Sequence, residues 1–191
     1  MKKMLVVSLC SGLWMIFLVT LSLPAMARNK ANIVDTIIGK EGESLEVSFS
    51  IQDCFTPKME EAIKSGVSTS FRILVVLEKP GLPLMRSRIL DFSLEHTIKY
   101  DRLRNEFRVT LPEHHDGMIV TKDFDEAKRW MSSVRELPVI PLWRLQKNEA
   151  YQLRLKAELS KFRLPLFLRY IFYFVSLWDF ETEWQKVTFS L

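Results

Sequence analysis

From Leu45 onward, apolar and polar side chains trade places every second residue over long stretches. Leu45, Val47, Phe49 and Ile51 alternate with Glu46, Ser48 and Ser50, and Phe107, Val109 and Leu111 alternate with Glu106, Arg108 and Thr110. Leu90, Phe92, Leu94, His96, Ile98 and Tyr100 form one side of a long segment whose other side carries Asp91, Ser93, Glu95, Thr97 and Lys99. Tyr151, Leu153, Leu155, Ala157 and Leu159 repeat the pattern opposite Gln152, Arg154, Lys156 and Glu158. Successive side chains of a strand point to opposite faces, so each segment predicts a strand with one dry and one wet face, as antiparallel sheets have. The phase slips after Ser160, with Phe162 and Leu164 continuing the apolar set, which reads as a bulge or the strand's end. Phe71–Glu78 is denser in apolar residues and reads as a central strand covered on both faces. Val187, Phe189 and Leu191 predict a last strand tied into a sheet.

Helical signals are short. Thr56 is a cap, Pro57 suits the first helical position, and Met59, Ala62 and Ile63 form an inward stripe before Gly66. Asp123 with Glu126 resembles a capping box, followed by Phe124, Ala127, Met131 and Val134 at helical spacing. Leu166–Trp178 is apolar all round apart from Arg169 and Ser176, and Pro165 tilts it towards a core-covering helix. At that length it is too short to span a bilayer; contact with a membrane surface is its alternative reading. Pro80, Gly81 and Pro83 mark one loop and His114–Gly117 another. Seven or so one-sided strands need a second layer to bury them. The expected fold is mainly β: an antiparallel β-sandwich, immunoglobulin-like or similar, with two or three short helices.

The first 27 residues stand apart. Lys2 and Lys3 precede an uncharged apolar run, Met4 to Leu23, and Pro24, Ala25, Met26 and Ala27 close it. A basic start, an apolar middle and small residues two apart are the parts of a secretory signal peptide, with Ala25 and Ala27 presented for cleavage after Ala27. The run also reaches the length of a membrane span, so an uncleaved anchor is the alternative. Either reading places residues 28–191, one β-rich domain, outside the cytoplasm, in the periplasm or on the outer face of the inner membrane. Cys10 lies too early in the run for a lipid attachment site.

Loss of residues 1–27 removes two lysines and no acidic residue, so the formal charge falls from +4 to +2 over the remaining 164 residues. That charge is too small to argue for nucleic acid or an anionic membrane surface as partner, and basic and acidic residues are interspersed, as on a solvated surface. Cys54 would be the one thiol left, so no internal disulfide can form and stability rests on packing. Its neighbours Asp53 and Phe55 favour a buried, inert thiol over a reactive one.

Candidate chemistry is sparse. His114 and His115, beside Glu113 and Asp116, are the one cluster of metal-ligand types, but adjacent histidines on an extended chain point apart. His96 falls on the apolar side of its strand, as a core histidine does, with a general base as the alternative. Asp179 and Glu181, two apart among Trp178, Phe180 and Trp184, raise a glycosidase reading: on a strand their separation is about 7 Å. The alternative is tryptophan packing with local pairing of the carboxylates. No phosphate loop, nucleophile elbow or zinc-protease helix occurs, and no cofactor is implied.

The motif series Met59-Glu60-Glu61-Ala62-Ile63 with Ser65-Gly66 and Thr69-Ser70-Phe71, His96-Thr97-Ile98-Lys99-Tyr100-Asp101 with Glu106-Phe107, Asp123-Phe124-Asp125-Glu126-Ala127, Arg154 to Leu159, Leu164-Pro165-Leu166, and Phe174 to Trp184 covers nearly all of residues 28–191 in order. This series resembles the exported proteobacterial family catalogued as domain of unknown function 4390. Gln185 follows Trp184 where relatives tend to carry an aromatic residue. The resemblance implies export, a single domain and no assigned activity, and singles out His96, Lys99, Tyr100, Asp101, Trp178, Asp179, Glu181 and Trp184 without giving them roles. The expectation is a non-enzymatic binding or accessory module of the cell envelope, with an envelope protein or ligand as partner. The alternatives are an envelope hydrolase using Asp179 and Glu181, and a protein touching lipid through Leu166–Trp178.

Overall fold

A computed structural model describes residues 31–81, 87–160 and 180–191. In chain order the described elements are β1 (Asn32–Glu41), β2 (Ser44–Gln52), α1 (Pro57–Lys64), β3 (Thr69–Lys79), β4 (Ser87–Asp101), β5 (Glu106–Thr110), β6 (Met118–Thr121), α2 (Phe124–Met131), β7 (Ser133–Pro141), a 3-10 turn (Leu142–Arg144), β8 (Ala150–Leu159) and β9 (Gln185–Ser190). Two antiparallel sheets result, a small one in the order β1-β2-β7 and a large one in the order β6-β5-β4-β3-β8-β9. The fold is mainly β and sandwich-like, as the alternation predicts.

β3 sits at the centre of the large sheet because it pairs on both edges, Phe71 to Glu78 lying opposite β4 on one side and β8 on the other. Its inward residues Phe71, Ile73, Val75 and Leu77 have no exposed surface. They share one core with Leu45, Val47, Phe49 and Ile51 of the small sheet and with Met59, Ile63, Ala127 and Met131 of the helices. Burying each large apolar side chain contributes about 1.5–3 kcal/mol, so this common core is what joins the layers. Val76 and Glu78, on the other face of β3, are buried as well, which matches the dense apolar run. Farther along that face Arg72 bridges Glu95 at 3.2 Å and Glu158 at 4.0 Å. Exposed pairs of this kind contribute roughly 0–1 kcal/mol each and keep the face wet rather than hold it.

The helix ends follow the sequence with one change. The Thr56 side chain accepts the Met59 N–H, Pro57 opens α1, and Gly66 with φ 93° turns the chain out of it. In α2 the Asp123 carboxylate accepts the N–H groups of Asp125 and Glu126, at 2.8 and 3.4 Å. The reciprocal arm runs through Thr121: its hydroxyl donates to the Glu126 carboxylate and accepts the Asp123 N–H at 3.1 Å. α2 ends at Met131, so Val134, which helical spacing assigns to it, belongs instead to β7 and pairs with Phe49.

Three strands escape the alternation rule. β1 is bulged between Val34 and Ile37, with Asp35 at φ 53°, and β6 has four residues. β7 contains Pro138 and a bulge in which Arg135 and Glu136 stand between the pairs Val134–Phe49 and Leu137–Val47. The C-terminal alternation does form an edge strand, β9, along β8. Just before it, Phe180 and Thr182 extend the same edge: Leu159 N–H donates to Phe180 O at 3.0 Å, and Thr182 exchanges bonds with Ala157. The phase slip after Ser160, the segment Leu166–Trp178 and the N-terminal 27 residues, with Ala25 and Ala27, lie outside the described residues. No helix among the described residues is long and apolar enough to cross a membrane.

Candidate functional site

His96 enters the core because its place in the alternation of β4 is an inward one, and it has no exposed surface. There Nδ1 lies 3.0 Å from the carbonyl oxygen of Met131, the last residue of α2. A carbonyl only accepts, so Nδ1 carries a proton and donates it. On the other side Nε2 lies 2.8 Å from Oε1 of Glu113, whose side chain is 5% exposed. The contact is off the axis of a hydrogen bond, and Glu113 Oε2 has no partner among the described residues. His96 Nε2 likewise makes no hydrogen bond among the described residues, so the two buried polar groups meet by proximity alone. His96 thereby ties the loop after β5 to the end of α2.

That tie forms one wall of a cavity of about 410 Å³ lined by Leu111, Glu113, His114, His115, Trp130, Ser133, Arg135 and Glu136. Trp130 is half-buried; the Arg135 guanidinium lies 5.2 Å from its ring centre, and His114 meets it edge-on at 6.1 Å. The β7 bulge brings Arg135 and Glu136 to this place. Glu136 has φ 51° and its N–H donates to Ser48 Oγ at 2.9 Å, so the two residues opposite Ser48 turn out of the ladder. The result is a groove with an aromatic platform, one cation, exposed and buried carboxylates, and two imidazoles. It can bind a polar ligand offering both donors and acceptors, and it holds no nucleophile paired with a free base. No group of three or more His, Cys, Asp or Glu side chains among the described residues is placed to hold a metal ion.

The other singled-out residues lie elsewhere. Lys99 is exposed, and Tyr100 O–H donates to Asn105 across the β4–β5 turn. Asp101 Oδ1 accepts the N–H groups of Leu103 and Arg104 at 3.0 and 3.2 Å, while Oδ2 lies 3.0 Å from Arg108. The backbone N–H of Arg104, reinforced by that of Leu103 and by the nearby arginines, holds the Asp101 carboxyl below its ordinary value. Trp184 lies half-buried on the outer face under the Arg154 guanidinium, 4.5 Å from its ring centre, with Lys156 at 5.7 Å. Glu181 pairs with Lys156 and bridges Glu158 across the sheet edge. Trp178 and Asp179 lie outside the described residues. Cys54 is buried, donates to Ile51 O at 3.4 Å, and has its thiol pushed up to about 12 by desolvation. Of the groove, sequence reasoning found Glu113, His114 and His115 and missed Trp130, Arg135 and Glu136. The signal for the last two is the irregular β7, which breaks the periodicity that a strand search looks for.

A family model described as domain of unknown function DUF4390 matches residues 28–188. The chain belongs to that family. No curated protein and no solved structure matches it. In this DUF4390 member the matched region runs from before β1 into β9, so both walls of the groove belong to it.

Glu113→Ala should cost roughly 3 kcal/mol, because the buried Nε2 of His96 loses the polar group 2.8 Å from it and a cavity opens in its place. Glu113→Gln should cost less than half of that, since an amide N–H can donate to a bare Nε2; urea denaturation of both variants measures the difference. For Asp101 the sign follows from the lowered value. Its contribution to stability is complete above 3.8, the ordinary aspartate value, and is lost as pH falls through the lower folded value. A carboxyl-detected NMR titration should therefore give Asp101 a midpoint below 3.8.

Proposed function

We propose that this DUF4390 member is an exported, non-enzymatic accessory module of the cell envelope that binds a ligand or partner in the groove beside Trp130. The observation that carries this reading is the groove itself. A buried His96–Glu113 contact and a strand bulge present Trp130, Arg135, Glu136 and two histidines to one concave surface. Trp130 packs one side against the core, but core packing needs neither exposed Arg135 nor exposed Glu136, and pre-set polar and aromatic groups around a concavity are what recognition uses. Export is supported by Lys2 and Lys3, the apolar run to Leu23, and Ala25 and Ala27. The family match that begins at residue 28, directly past the expected cleavage point, supports it as well.

A catalytic reading has less support. His96 offers no ring nitrogen to solvent, with Nδ1 on Met131 and Nε2 against Glu113. Glu181, one half of the Asp179–Glu181 pair, is engaged by Lys156. A free carboxylate base needs neither arrangement.

A photo-crosslinking residue placed at Glu136 in living cells tests the proposal. The expected result is a discrete adduct recovered from the envelope fraction, abolished by Trp130→Ala and absent when the crosslinker replaces Thr188 on the far edge strand. Adducts of equal yield from both positions, or recovery of the protein in the cytoplasmic fraction, would contradict it.

A further inference from the structure

The hairpin that joins β4 to β5 extends past its neighbour. β3 begins at Thr69, opposite Ile98, so Lys99–Asp101 run on with β5 alongside and β3 no longer beside them. At the end stands Leu103, 99% exposed, between Arg102 and Arg104, both exposed. An isolated exposed leucine on a soluble surface is ordinary and by itself means nothing. Three features set this one apart.

The turn is held in one shape. Asp101 accepts two of its backbone N–H groups, Tyr100 donates to Asn105, and Asn105 adopts φ 55°. Behind it Tyr100, Phe107 and Phe124 stack with ring centres 4.6 and 5.0 Å apart. A fixed tip loses little conformational freedom when it meets a partner. The flanking cations are also available. Arg102 has no ion pair among the described residues, its stem lying over the Gly66 turn, and Arg104 is 69% exposed with Glu106 only at 3.9 Å. Asp101, next to Arg102 in the chain, faces inward to the turn and Arg108. Finally, the apolar contact among the described residues is a single side chain, since their other large exposed apolar residues, Ile37, Met118, Val120 and Trp143, belong to other elements.

We infer that this tip is a contact for an anionic phospholipid surface, with Leu103 entering the interface and Arg102 and Arg104 on lipid phosphates. A protein partner would need apolar surface around Leu103 to exclude water from the contact, and the hairpin supplies none. A lipid interface closes around one inserted side chain by itself, and a guanidinium matches phosphate in charge and geometry. The tip and the Trp130 groove lie at opposite ends of β5, about 17 Å apart by strand rise, so the contact leaves the groove open.

The test uses the full chain with Leu103→Cys in a Cys10→Ser background, so that a fluorophore attaches at the tip while buried Cys54 stays unlabelled. The readout is quenching by brominated acyl chains in phosphatidylcholine vesicles with and without phosphatidylglycerol. It is local to the tip, so other membrane contacts of the chain do not contribute. Quenching should be roughly tenfold stronger with phosphatidylglycerol, and Arg102→Ser with Arg104→Ser should return it to the level of neutral vesicles. The inference is overturned by no quenching, by equal quenching in both vesicles, by indifference to the arginine variant, or by a label that responds only when envelope protein is added.

Discussion

A sheet with one greasy face cannot stand alone in water, and the residues of β3 make that constraint most severe: four consecutive side chains, Val75 to Glu78, are buried, and both strand edges are bonded. Everything else is arranged around that requirement. The small sheet and both helices supply the inner cover through one shared core, while β4 and β8 complete the edges. The remaining strands lengthen the sheet outward to β6 and β9, which are the outermost described strands and are short.

The same constraint places the unusual chemistry. β4 must put every second residue inside, and His96 falls on that side between Leu94 and Ile98. A buried imidazole is costly without polar neighbours, and the chain gives one nitrogen a carbonyl at the end of α2 and sets the Glu113 carboxylate 2.8 Å from the other. The groove is a by-product of that solution: the loop drawn down onto His96 stands across from Trp130 and the β7 bulge. The outward residues of the β4–β5 hairpin, beyond the support of β3, are free to serve a different surface.

What could be read in the amino-acid order divides along physical lines. Elements that obey one period throughout, such as Leu45–Ile51 and Tyr151–Leu159, could be read with their faces. So could α1, whose cap, first-turn proline and terminal glycine are all local signals. Elements whose geometry comes from pairing could not. β1 and β7 carry bulges that shift the phase, and β7 drew Val134 into a false helical series because spacing alone cannot show that Ser132 ends α2. Half the groove was hidden for the same reason. Glu113, His114 and His115 stand out as residue types in a loop, whereas Trp130, Arg135 and Glu136 acquire meaning only once α2 and β7 are folded against that loop.

Native-state hydrogen exchange along the chain is the most direct measurement of the central claim. If β3 is the element on which the layers depend, the amides of Ile73, Val75 and Leu77 should exchange only through global unfolding, with the highest opening free energies in the molecule, and those of β6 and β1 should open locally at lower cost. Exchange of the β3 amides by a local opening easier than that of β6 or β1 would contradict the account.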